Sequence, residues 1–292
     1  MNQVKTVALL GLMSGLLVSA SYWLLGGIAG ATIGIFLAAL ANLGAWYYSD
    51  RIALAAYAAR PISPSDAPQL YQIVERLCDR ARLPVPQLYL VPSAAANAFA
   101  TGRDPEHAAV ALTAGILSIL PEEELEGVIA HELSHVRNRD TLTQALAATI
   151  AAAISFLAQI ASYGFWFLGP SRDQPDNANP IGLLLTIILA PIAATVIQLA
   201  ISRTREFSAD ATAAKLTRNP RALARALERL ENNARNYPIH ANPAFEPLLI
   251  INPFSGELFA NLFSTHPSCE ARIKNLLQIE REISSRGNLP IS

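Results

Sequence analysis

The residues best suited to chemistry lie in two short clusters. The first is His131-Glu132-Leu133-Ser134-His135, an HExxH pattern. On a helix, positions i and i+4 share a face, so both imidazoles can reach one metal ion with Glu132 beside a water bound to it. Zinc is the expected ion, one per chain, because paired histidines with an adjacent general-base carboxylate are the donor set of catalytic zinc sites. A surface helix bearing two solvated histidines is the alternative, but the apolar lead-in Val128-Ile129-Ala130 argues for burial. Such a site needs a third protein ligand and an open position. The second cluster, Arg205-Glu206-Phe207-Ser208-Ala209-Asp210, places two carboxylates at i and i+4. Like charges at that spacing weaken an isolated helix. The pair makes sense if Glu206 binds the cation and Asp210 accepts a hydrogen bond from a ligand histidine. Ala209, Ala213 and Ala214 around it favour a buried acidic face over a solvated one.

Of the other histidines, His107 and His240 sit in polar stretches and read as surface residues. His266 precedes Pro267 and is expected at the N-cap of a last helix over 268–280, where its imidazole could donate to a developing oxyanion.

These residues have to be held by elements, and the pattern around them is mixed. A helix is expected over about 70–81, capped by Ser65 or Asp66, with Leu70, Ile73, Val74, Leu77 and Ala81 apolar. Short apolar runs at Gln87–Val91, Ala96–Ala100 and Ala108–Leu112 read as strands of one small sheet. Pro121 suits the first position of the HExxH helix, with Glu122, Glu123 and Glu124 complementing its dipole. Ala209–Leu216 and Arg221–Asn233 read as further helices.

Composition places these elements beside a membrane. The chain has 292 residues, 52% hydrophobic and 15% charged, against about 25% charged in an average soluble domain. No charge lies between Lys5 and Asp50, room for two spans near 6–25 and 28–48 broken at Gly26-Gly27. Gly11/Gly15 and Gly30/Gly34 have GxxxG spacing. Further apolar blocks run over 141–171 and 177–202, separated by a polar, proline-rich loop over 169–180. A cleavable signal peptide ending near Val18-Ser19-Ala20 is the rival for the first span, but the apolar run continues through Trp23-Leu24-Leu25. Lys5, Arg51, Arg60, Arg137, Arg139, Arg203 and Arg205 all fall on one side of these blocks, so both termini and both polar segments are expected in the cytoplasm. The expected division is a membrane hairpin over 1–49, a polar part over 50–142, a second hairpin over 143–202 and a polar part over 203–292. The net charge of −1 argues against a nucleic-acid partner. Cys78 and Cys269 form no CxxC pair and imply neither a disulfide framework nor a cysteine metal site.

The stretch His131-Glu132-Leu133-Ser134-His135-Val136-Arg137-Asn138-Arg139-Asp140 resembles the active-site segment of the HtpX family of membrane zinc metalloproteases. Arg205–Asp210, Asn97-Ala98-Phe99-Ala100-Thr101-Gly102, and His266-Pro267 followed by Arg272-Ile273 are similar to its other motifs, in family order. The resemblance implies a mainly helical α+β fold: a zincin-like cytosolic domain with a small β-sheet, anchored by four transmembrane helices in two hairpins at the bacterial inner membrane. It implies His131, His135 and Glu206 as zinc ligands, Glu132 as catalytic base and Asn97, Ala98, Phe99 and Ala100 as a substrate-binding edge strand. The implied activity is endopeptidase degradation of misfolded or damaged membrane proteins. Two alternatives stand beside it. A CAAX prenyl protease shares the zinc architecture but needs more spans, and an inactive zinc-binding scaffold would not need Glu132.

Overall fold

The computed structural model describes residues 2–168, 203–237, 245, 248–251 and 267–287. The expected fourth span, the loop over 169–180, His240 and His266 lie outside the described residues.

The chain opens with a helical hairpin, α1 (Asn2–Leu25) and α2 (Gly27–Ala56). Gly26 (φ +88°) and Gly27 (φ +57°) make the break in conformations that glycine adopts without a Cβ clash. At Gly34 a Cβ would stand 2.8 Å from Val18 Cα, so the helices approach closely there, whereas Gly11 and Gly15 have nothing within 4 Å. The GxxxG expectation therefore applies to α2 and not to α1. Asn42 Nδ2 donates to Ser14 Oγ across the pair (2.8 Å), a polar link between two apolar helices. Ile33, Ile35, Phe36, Leu40 and Leu43 of α2 are exposed. Among the described residues, α2 is the one helix long and apolar enough to cross a membrane, with mean hydropathy 1.8. The apolar parts of α1 (Val4–Ser19) and of the later helix α6 (Asp140–Ile154) are shorter.

A four-stranded sheet follows in the order β1-β2-β4-β3. Its strands are β1 (Arg60–Pro61), β2 (Gln87–Val91), β3 (Ala98–Gly102) and β4 (Ala108–Thr113). β2 and β4 run parallel, with Leu88 opposite Val110; β3 runs antiparallel to β4, with Ala98 opposite Leu112, and forms an edge. Side-chain alternation divides the sheet. Leu88, Val110, Leu112, Ala98 and Ala100 join the core with α3 (Pro68–Ala81) and α5 (Glu122–Asn138). Tyr89, Val91, Ala109, Ala111 and Phe99 join a second core with α1, α2 and α6 (Asp140–Leu168). The sheet thus lies between the HExxH helix and the apolar helices.

Several boundaries differ from expectation, among them the helix that carries Glu206, which starts at Arg203 and not at Ala209, and the HExxH helix, which starts at Glu122 with Pro121 as its N-cap. β3 starts and ends two residues later than expected, with the Asn97 side chain folded back onto Ala98 N–H (3.0 Å) at its start. Helix α3 has Ala67 at its N-cap with no side-chain cap, since the Asp66 carboxylate instead accepts from Ser63 N–H (3.1 Å) and Pro68 needs no cap of its own. The last helix, α9 (Cys269–Gly287), is capped by Ser268 Oγ, which accepts from Ala271 N–H (3.2 Å), so the cap role expected for His266 belongs to Ser268. Between α4 (Ala114–Ile119) and α9 the chain also forms α7 (Arg203–Thr217) and α8 (Pro220–Asn236). Leu223, Leu227 and Leu230 of α8 and Leu276 of α9 fill the core behind α5. The buried Glu124 in the first turn of α5 is held by Arg229 (2.8 Å) and Arg225 (3.2 Å) of α8.

Candidate metal centre

Helix α5 buries every residue from Gly127 to Val136, which fixes the orientation of the HExxH side chains. One residue, Arg139, ends it in the left-handed region (φ +57°) with its N–H returned to the His135 and Val136 carbonyls, and α6 begins at Asp140. Glu206 comes from the first turn of α7. His131, His135 and Glu206 converge, all buried, with their candidate ligand atoms within 4.8 Å of one another. His131 Nε2 and His135 Nε2 stand 3.2 Å apart, and each faces one oxygen of Glu206 at 3.5 Å. Tetrahedral ligands with bonds of about 2.0–2.1 Å would be separated by about 3.3 Å. Two imidazole nitrogens and a carboxylate at these separations fit one divalent metal ion.

The surroundings orient the histidines. His131 Nδ1 lies 2.9 Å from Asp210 Oδ1, and His135 Nδ1 3.2 Å from Asp140 Oδ2. A carboxylate only accepts, so Nδ1–H of each ring donates, the Asp210 contact to His131 being shorter than the approach of Arg272 Nη2 to the same atom (3.2 Å), and a metal at the shared centre would take the Nε2 lone pair of each ring in place of a proton. Asp140 also accepts from Arg205 (3.3 Å). Arg272 of α9 holds Asp210 with two bonds, Nε to Oδ2 at 2.9 Å and Nη2 to Oδ1 at 2.6 Å, and gives Nη1 to the Ile250 carbonyl (2.9 Å). Arg272 is 2% exposed and Asp210 fully buried, so neither charge has bulk water as an alternative partner.

Electrostatics agree with a centre that attracts a cation. Burial and the Arg272 guanidinium push the His131 pKa down, but hydrogen bonds to Asp210 and Glu206 outweigh them and hold it above the usual imidazole range, at about 9. The carboxylates that would draw a proton there are those that would draw a metal. For Asp210, burial raises the pKa, yet the Arg272 charge and the His131 and Arg272 hydrogen bonds prevail and keep it below the ordinary carboxylate range. Glu132 is pushed up, by burial first and by Glu206.

Glu132 joins the centre to the sheet edge, its Oε2 accepting from Ala100 N–H at 2.8 Å. The Asn97 carbonyl accepts from Thr113 N–H within the sheet (3.0 Å), and antiparallel alternation then turns the N–H and C=O of Ala98 and Ala100 away from β4. The Ala98 carbonyl accepts from Ile250 N–H (3.2 Å). Asn97 also pins this segment, with Oδ1 accepting from Ile250 N–H (3.0 Å) and Nδ2 donating to the Ile251 carbonyl (3.0 Å). Phe99 points the other way, against Tyr57 of the hairpin with ring centroids 5.0 Å apart. Of the expected edge residues, Ala100 thus presents its N–H to Glu132, Ala98 gives its backbone groups to Asn97 and Ile250, Asn97 holds the chain's own segment and Phe99 packs below the sheet. His107 is a surface residue tied to Asp104 (2.6 Å).

Sequence reasoning assigned no role to Arg272, Arg205 or the Asp140–His135 contact. A signal existed for Arg272, which occupies the apolar stripe of its helix one turn before Leu276.

A family model described as Peptidase family M48 matches residues 64–280. A protein named Protease HtpX homolog from Nostoc punctiforme is 65% identical over 286 residues, covering 98% of this chain and 99% of its own length. Another of that name from Pyrococcus furiosus is 49% identical over 281 residues, covering 96% of each. A solved chain described as the crystal structure of S. mikatae Ste24p is similar at a TM-score of 0.47 and 20% identity, over 83% of this chain and 57% of that one, a likeness too slight to bear on function.

Proposed function

We propose, for a chain that belongs to peptidase family M48 and is a membrane metalloprotease, that it is a zinc endopeptidase which hydrolyses peptide bonds of misfolded or damaged membrane proteins. The observation that carries this reading is the triangle of His131, His135 and Glu206 with Glu132 next to it, bonded to the edge strand. His131, His135 and Glu206 would hold zinc. When bound, zinc acidifies a coordinated water and polarises the scissile carbonyl. Glu132 takes the proton from the attacking water and delivers it to the leaving amine. Asp210, fixed by Arg272, and Asp140 hold the two imidazoles in the tautomer that leaves Nε2 free for the metal. His266 is proposed as an oxyanion donor.

The substrate is an extended segment laid along β3 by main-chain hydrogen bonds, which read backbone and not side chains, so sequence preference is loose. The Ile250 N–H on the Ala98 carbonyl occupies part of that edge and must yield to such a strand. The proposed setting is a bacterial inner membrane with four spans and the catalytic side in the cytoplasm, supported by the Lys/Arg bias. Purified full-length protein should degrade an unfolded polypeptide, lose that activity with a chelator and regain it with added zinc. Undiminished cleavage in excess chelator would contradict the reading.

A further inference from the structure

We infer that the substrates of this site are peptide bonds in the first few residues outside the bilayer, next to the end of a substrate's own membrane span. The inference rests on the proteolytic reading above and adds where along a membrane protein the cut falls. Two parts of the chain place the level of the membrane surface against the catalytic groups.

The first is the start of α6. One residue separates the HExxH helix from this apolar helix, and its first residue, Asp140, touches His135 (3.2 Å). Thr143, three residues on and about 4.5 Å along the axis, meets Thr6 (3.1 Å) where the apolar stretch of α1 begins. Lys5 beside it lies within electrostatic reach of Asp140 and Arg205. A ligand histidine therefore stands about one helical turn from the level at which two helices become apolar.

The second is the far end of β3. The Gly102 carbonyl accepts from Thr141 Oγ1 in the first turn of α6 (2.9 Å). Arg103, the next residue, lies over the ring of Tyr47 (4.8 Å) and near that of Trp46 (5.9 Å). Trp46, Tyr47 and Tyr48 are each more than 40% exposed at the end of the apolar stretch of α2, just before Asp50 and Arg51. Exposed tryptophan and tyrosine at the end of a span mark the headgroup level. Ala100, whose N–H Glu132 holds, is three residues from Arg103, about 10 Å of extended chain. A substrate strand lying along β3 with its scissile bond at Glu132 therefore reaches the headgroup level after roughly three to six residues.

The two parts agree, and they distinguish this geometry from that of a protease that must be fed a long tail. A site at bilayer height meets residues just outside a substrate's span at a high effective concentration. Residues far along a flexible tail visit it less often, falling roughly as the −3/2 power of the tail length.

The test uses the full-length enzyme reconstituted in liposomes with single-span reporters. Each reporter carries the same unfolded cleavable sequence, spaced by glycine and serine about 4 or about 40 residues from its last apolar residue. A soluble unfolded chain and the Glu132→Gln enzyme serve as controls, and products are mapped by mass spectrometry. The near site should be cut at least about tenfold faster than the distant one. Equal rates, or cleavage of the distant site or the soluble chain alone, would overturn the inference and leave the proteolytic reading standing. If wild type cuts none of them, including the soluble chain, both fall.

Discussion

Replacing Arg272 by methionine removes the one guanidinium that, among the described residues, faces Asp210, while keeping much of the side-chain volume. Asp210 would then be a fully buried carboxylate with His131 as its remaining partner among the described residues, since two bonds of 2.9 and 2.6 Å are lost. Breaking a buried ion pair from one side costs about 3–5 kcal/mol, because the desolvated partner is left uncompensated. For a chain of this size each kcal/mol moves the midpoint of melting by about 2–4 °C, so Arg272→Met should lower it by roughly 10 °C. The loss should also reach the metal. With its anchor gone, Asp210 orients His131 less well, and metal affinity should fall about 10–100-fold. Arg272→Lys, which keeps the charge but not the two-pronged geometry, should fall between wild type and Arg272→Met. The double variant Arg272→Met/Asp210→Asn should lose less than the sum of the two single changes, because the two residues are in contact. The assay is thermal unfolding with and without metal, together with chelator competition, on the same preparations. A melting point within 2 °C of wild type combined with unchanged metal affinity in Arg272→Met would refute the positioning role.

Glu206→Ala should lose metal at chelator concentrations that wild type tolerates, because only two imidazoles remain of the buried triad; metal analysis after dialysis checks this. His266→Ala should keep its metal and its melting point but lose about 10²–10³ in turnover, the usual effect of removing one oxyanion donor, as read by steady-state kinetics. Burial in α3 pushes the Cys78 thiol up to about 12 from 9.0. The folded state therefore holds the proton more tightly than the unfolded chain, so the Cys78 contribution is complete below about pH 9 and is lost as pH rises toward 12. Unfolding midpoints followed upward from pH 9 should fall, and Cys78→Ala should remove part of that fall.

Much of this arrangement was legible in local sequence. Position i/i+4 geometry put His131 and His135 on one face, and the acidic pair on α7 proved to point inward, with Glu206 toward the histidines and Asp210 onto His131. The Gly26-Gly27 break and the apolar period of α3 also appear where local rules put them. What escaped depends on residues far apart in the chain. Arg272 meets Asp210 across 62 positions, and Ile250 meets Asn97 across 153. No window of local pattern contains either pair. The helix caps were missed for a different reason. Ser65 and Asp66 had the right residue types, but Asp66 found a nearer donor in Ser63, and at the last helix the cap is Ser268, two residues past the one expected. Gly11 and Gly15 show that GxxxG spacing on one helix says nothing about which face its neighbour covers.

The central claim is that Glu132 acts on water at a metal held by His131, His135 and Glu206, and one variant addresses it directly. Glu132→Gln keeps the size of the side chain and leaves all three ligands in place while removing the base. Zinc content and turnover of an unfolded polypeptide, measured on one preparation of full-length enzyme, should show near one zinc per chain and no detectable cleavage. A Glu132→Gln protein that carries zinc and still cleaves at the wild-type rate would contradict the account.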